Sequence, residues 1–158
     1  MKIKPALSGL IIAGVFLLPG CDYDVALTAQ PTRKVDERLL GNWVAVDKDS
    51  PKPESMHVRA LDDSTYVVAF DDDVYRAFHS DFAGTAFLSV QDLNSSNRLY
   101  LYLTAELSAD GNRLTLHTVS TKVIPAETKG RAALQKLIRA NLGNPKLFSD
   151  ALVFARKK

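Results

Sequence analysis

The side chains able to do chemistry are few: three histidines (His57, His79, His117), one cysteine (Cys21), and the carboxylate runs Asp62-Asp63 and Asp71-Asp72-Asp73. Three imidazoles could hold zinc only if the fold made them converge, and no His-x-x-x-His pair occurs. The aspartate run could attract calcium, but the EF-hand pattern with its central Gly and closing Glu is absent. Both acidic runs fall between apolar stretches and read as solvated turns, whereas acid–base work needs a carboxylate held by its surroundings. There is no Gly-x-Ser-x-Gly and no phosphate-binding glycine loop. The expectation is a protein with no catalytic residues, no metal ligands and no cofactor. Three other residues form a candidate contact face: Tyr100 and Tyr102, with His117 on the partner strand. Lining a barrel interior, the phenols would meet a small apolar ligand. Facing outward, they would suit a protein partner.

The elements that must position these residues are mostly strands. A length of 158 residues allows one domain and a short appendage, and 46% apolar with 24% charged residues is ordinary globular composition. A formal net charge of +2 gives no reason to expect nucleic acid. Short apolar runs recur with Asp, Asn, Gly and Ser between them: 41–46, 56–61, 65–70, 74–79, 85–90, 99–107 and 113–119. This spacing predicts an antiparallel meander, closed or nearly so. The hairpin around Asp110-Gly111 tests its own register. Pairing Leu107 with Leu114 and Ala105 with Leu116 puts Thr104 opposite His117 and Glu106 opposite Thr115, so apolar meets apolar and polar meets polar. The period then changes. Leu134, Leu137, Ile138 and Leu142 mark an amphipathic helix over 132–142, with Thr128 as its expected N-cap, Gly143 at its end and Pro145 beyond. A final strand is expected at 151–156. The fold class is therefore mainly β, with one C-terminal amphipathic helix before the last strand.

The N-terminus reads as an address. Lys2 and Lys4 precede about 13 apolar residues, too few for the roughly 20 that span a bilayer, so residues 1–20 read as an export signal. Leu18-Pro19-Gly20-Cys21 resembles the lipobox of bacterial lipoproteins. That resemblance implies cleavage after Gly20, a diacylglyceryl group on Cys21 and further acylation, for instance by palmitate, of the new terminus. Two or more chains give stable attachment to a membrane. Asp22 resembles the enterobacterial signal for inner-membrane retention, which implies an envelope protein facing the periplasm, at the inner rather than the outer membrane. A lone cysteine also excludes an intrachain disulfide. Residues 21–35 are polar and without period, and read as a lipidated tether reaching about 46 Å extended or about 20 Å as a coil. The folded domain then spans 36–158. Its charge is uneven: residues 22–128 carry 17 acids and 10 bases, while 129–158 carry 8 bases and one acid.

Gly41-Asn42-Trp43 resembles the Gly-x-Trp start of lipocalin-type barrels. The resemblance implies a short helical turn at 36–40, Trp43 closing the barrel floor, and Arg156 as the basic residue packed on it. It departs from that family in strand number and strand length. The expected function is that of a non-catalytic accessory lipoprotein, held to the membrane through Cys21, binding a protein or envelope component. The alternative is a lipocalin-like carrier or sensor of a small apolar ligand.

Overall fold

Strands with one apolar face must bury it, and here they do so by closing on themselves. The computed structural model describes residues 22–46 and 53–158; the segment 1–20, read above as an export signal, and Cys21 lie outside the described residues. Eight antiparallel strands follow one another around a closed barrel: β1 (Gly41–Ala45), β2 (Ser55–Ala60), β3 (Thr65–Phe70), β4 (Asp73–Phe82), β5 (Thr85–Asp92), β6 (Tyr100–Leu107), β7 (Arg113–Thr118) and β8 (Leu152–Arg156). Closure comes from β1 pairing with β8, with Trp43 opposite Arg156, so that each strand has a paired neighbour on both sides. The register of β6 and β7 is the one that patterning requires: Leu107 faces Leu114, Ala105 faces Leu116, and Thr104 faces His117. The strands expected at 74–79 and 85–90 run longer, because their hairpin continues to Phe82 opposite Thr85. Its two-residue turn is Ala83-Gly84, both at positive φ (49° and 83°), the geometry that suits the twist of a hairpin.

Inward-facing residues of all eight strands make one apolar core, from Trp43 through Met56, Tyr66, Leu88, Leu103, Leu116 and Phe154. One end is a base, closed by the 3-10 turn Glu37–Leu39, whose first N–H groups are capped by Asp36. The other end is a rim formed by the β3–β4 and β5–β6 loops.

Two expectations change. Residues 22–35 are not a free tether. Tyr23 makes a bridge to Tyr100 in the slot beside β6 that β7 vacates after Thr118. The chain then crosses the outer wall, with Leu27 N–H donating to Ser89 Oγ at 3.0 Å and Thr28 Oγ1 donating to Ser80 Oγ at 2.8 Å. Buried Tyr23, Ala26 and Leu27 supply the apolar surface that a tether would lack.

The helix, α1, spans Arg131–Asn141 and is entered through Gly130, not capped by Thr128. Gly130 takes φ 80° and ψ 145°, which a side chain would oppose, and its N–H points to Asp24 Oδ1 at 3.3 Å. The entry to α1 is thus fixed by a carboxylate from the distant N-terminal segment. Two polar residues of α1 grip that segment. Arg131 Nε donates to Ala26 O at 3.0 Å and Gln135 Nε2 to Leu27 O at 2.8 Å. Between segment, helix and wall lies a second core of Tyr23, Leu27, Phe87, Tyr102, Ile124, Leu134 and Ile138.

Candidate functional site

The base brings Trp43 and Arg156 together. The indole is fully buried and donates from Nε1 to Leu39 O at 3.0 Å. The Arg156 guanidinium carbon stands 4.2 Å from the indole ring centroid, a cation–π contact. Its donors go to backbone carbonyls: Nε to Gly111 O at 2.8 Å, Nη1 to Leu40 O at 2.7 Å, and Nη2 to Arg38 O. Gly41 explains the Gly-x-Trp spacing. It sits at φ 137°, and a Cβ there would come within 2.6 Å of Arg156 Nη1. This constellation ties three chain segments together and exposes no reactive group.

A second polar set lies just inside the base. Asp36 N–H donates to Tyr66 Oη at 2.6 Å, and Tyr66 Oη lies 2.8 Å from His79 Nε2. Because Tyr66 Oη already accepts from Asp36, its own proton goes to Nε2, leaving the ring proton on Nδ1, where it is buried without a partner. Burial lowers the His79 pKa, and nearby Arg33 adds to the shift against the opposing effects of Asp81 and Asp36. His79 is therefore neutral at neutral pH. His57 instead faces outward, with Nδ1 2.8 Å from Asn42 Oδ1. Among the described residues no three His, Cys, Asp or Glu side chains gather into a metal-binding group.

The face expected to meet a ligand or partner is divided. Tyr102 is fully buried on the outer wall, not in the interior, and stacks on Tyr23 at 4.7 Å with ring planes 9° apart. Its hydroxyl donates to Val25 O, and that of Tyr23 donates to Ile124 O at 2.8 Å. Burial pushes both phenols up from the ordinary value, so they remain donors. Tyr100 holds the chain by its backbone: its carbonyl accepts from Asp22 N–H at 2.9 Å and Tyr23 N–H at 3.0 Å, and its N–H donates to Tyr23 O at 2.7 Å. Tyr102 thus offers no free face, and Tyr100 is half-buried. The reason is the N-terminal segment that covers them.

His117 stays accessible. It lines a wall groove of about 740 Å³ between the start of β5 (Gly84, Thr85, Ala86), the polar face of β6 (Thr104, Glu106) and the segment 145–151. That segment is pinned to β7. Ser149 N–H donates to Thr118 O at 2.8 Å, and the Ser149 and Thr118 hydroxyls are 2.7 Å apart. His117 Nδ1 lies 3.3 Å from Ser149 O. Phe148 anchors the segment by packing near Phe87, centroids 6.1 Å apart. The groove thus offers an imidazole, the exposed carboxylates of Glu106 and Asp150, and hydroxyls, a mixed lining suited to recognition by hydrogen bonds.

Sequence reasoning missed Phe148, Ser149 and Asp150, whose place in the groove follows from tertiary pinning and not from any period. Inside the barrel, by contrast, lies a cavity of about 70 Å³ with an apolar lining, contributed among others by Met56, Tyr66, Ala77, Leu101 and Phe154. No protein-family model, no curated protein and no solved structure matches this chain.

Proposed function

We propose that this is a non-catalytic envelope protein, lipid-anchored through Cys21, that faces the periplasm and binds a protein or other envelope component through the wall groove beside His117. The observation that carries the reading is the contrast in space: about 740 Å³ in the groove against about 70 Å³ inside the barrel. The groove falls within the roughly 300–1,000 Å³ of ordinary binding sites, and its carboxylates suit a partner segment carrying a basic residue. The Trp43–Arg156 stack and the turn Glu37–Leu39 beneath it support the likeness to lipocalin-type barrels. Asp22 supports the inner membrane as the site of attachment.

The wholly apolar lining of the interior favours a second reading, a carrier of a small apolar ligand. Its difficulty is size. An apolar cavity of roughly 150 Å³ takes a molecule such as benzene, so a lipid would need side chains such as Met56 to move.

One experiment separates the two. Protein beginning at Asp22 is incubated with an extract of its own cell envelope and weighed by native mass spectrometry. Ala86→Arg obstructs the groove and Ala77→Leu fills the cavity. The proposal expects a protein adduct that Ala86→Arg abolishes and Ala77→Leu leaves intact. A small-molecule adduct lost in Ala77→Leu and kept in Ala86→Arg replaces it with the carrier reading.

A further inference from the structure

Where the lipid would leave the folded domain is decided by the first described residues. Asp22 and Tyr23 both donate backbone N–H groups to Tyr100 O, and Tyr23 returns a carbonyl to Tyr100 N–H at 2.7 Å. Tyr23 is fully buried, and its hydroxyl is fixed to Ile124 O. The chain is therefore clamped within one residue of Cys21, and successive Cα atoms are only about 3.8 Å apart. A lipid on Cys21 has no length of free polypeptide between it and the barrel.

The clamp lies at a particular end. Tyr100 is the first residue of β6, beside the β5–β6 loop at the open rim. From there the N-terminal segment descends the wall. Thr32 N–H reaches His79 O at 2.9 Å and Asp36 N–H reaches Tyr66 Oη at 2.6 Å, both at the base. The anchor and the base are at opposite ends of the barrel.

We infer that the barrel stands rim-down on the bilayer, with the loops flanking Tyr23 held against the lipid head groups and the base and wall groove turned toward the aqueous side. The inference rests on the reading of Cys21 as the acylated residue, and adds to it an orientation and a contact surface. The β3–β4 hairpin shares that surface, because Asn94 ties it to the β5–β6 loop: Val74 N–H donates to Asn94 Oδ1 at 3.0 Å, and Leu93 N–H donates to Val74 O at 3.1 Å. Of the three exposed large apolar side chains among the described residues, two, Val46 and Val74, lie at the rim. The third, Leu61, lies at the base, in the β2–β3 turn. The hairpin tip also carries exposed Asp71, Asp72 and Asp73, which oppose an anionic surface. The surface that fits is a zwitterionic one, whose phosphates are offset by ammonium groups.

The test uses the full chain, processed and acylated, in vesicles of phosphatidylethanolamine and phosphatidylcholine. Val74→Cys and Leu61→Cys each place a fluorophore at an exposed site, one at each end, and spin-labelled lipid serves as quencher. The expected result is quenching of the Val74 probe several-fold above that of the Leu61 probe. Insertion of a long Gly/Ser stretch between Cys21 and Asp22 should erase the difference, because a flexible linker no longer transmits orientation. Equal quenching at the two sites, or more at Leu61, on protein whose mass carries the acyl groups overturns the orientation and leaves the anchor standing. A mass without acyl groups on Cys21 overturns the anchor reading itself, and the orientation with it.

Discussion

The inside of the barrel and the layer on its outer wall are both apolar cores, assembled in different ways. The inner core is made by neighbours in sequence, each strand pairing with the next, and holds only apolar side chains around its cavity. The outer core joins segments about 100 residues apart, and polar ties fix it at several points: Tyr23 to Ile124, Gln135 to Leu27, Arg131 to Ala26. Backbone pairing alone can align the inner core. Among the described residues the outer one has no ladder beyond two isolated bridges, Tyr23 to Tyr100 and Val119 to Phe148, so side chains must hold its segments in register.

The largest effect should come from the wedge at the base of the inner core. Trp43→Ala removes a fully buried indole, orphans its hydrogen bond to Leu39 O and takes away the surface under Arg156. The expected loss is about 3–5 kcal/mol in urea unfolding. A loss near zero would mean that closure of the barrel does not depend on its floor.

Leu27→Ala asks whether the outer core is a separate unit. Leu27 is fully buried, and the expected loss is about 2–5 kcal/mol. Its location should show in hydrogen exchange, with faster exchange in residues 22–30 and α1 and little change in β2 and β3. Equal acceleration throughout would make the two cores one cooperative structure.

The contrast also explains what could be read from the sequence. The inner core announces itself by period: Leu99, Leu101, Leu103, Ala105 and Leu107 alternate with polar residues, and their register against β7 follows from that alone. The outer core has no such signature on its N-terminal side. Tyr23 and Val25-Ala26-Leu27 sit among polar residues, and their burial depends on α1 and β6, which are distant in sequence. The apolar triplet was the available signal against a free tether. The groove is hidden for the same reason, since Ser149 and Phe148 are placed by contacts with Thr118 and Phe87. Gly41 and Trp43 are legible as a motif, but the physical cause, a guanidinium passing where a Cβ would stand, arises only where the chain's two ends meet in the fold.

A smaller effect is expected where the His79 imidazole enters the inner core. His79 is held neutral, its pKa lowered first by burial and then by Arg33, while Asp81 and Asp36 oppose the shift. Since the folded state binds fewer protons than the unfolded one, stability rises with pH between the depressed folded value and the unfolded value near 6.5. Stability should be complete above about pH 6.5 and fall below it by at most about 1.4 kcal/mol per pH unit. Asp36, held low by Arg38, contributes stability that is lost only below about pH 4, in a separate window. His79→Gln should flatten the curve just below about pH 6.5, as followed by thermal unfolding in a pH series. An unchanged curve would place the acid sensitivity elsewhere.

The smallest effects should differ in sign between the two cores. Ala77 lines the interior cavity of about 70 Å³, so Ala77→Val adds apolar volume where space exists and places a β-branched residue in a strand. Valine adds two carbons, so at about 0.8 kcal/mol per buried methylene the gain should be up to about 1.6 kcal/mol. Val119 belongs to the outer core and is almost fully buried between Tyr102 and the segment 145–151, which meets it through the bridge to Phe148. Val119→Ile adds one methylene to a site already occupied, and overpacking of that kind costs about 1–3 kcal/mol. Calorimetric midpoints moving up for the first variant and down for the second would establish that the inner core is underfilled and the outer one full. Two shifts of the same sign would remove that distinction. A rise in both would show unused space under the N-terminal segment, in the layer whose packing fixes where the chain leaves the barrel.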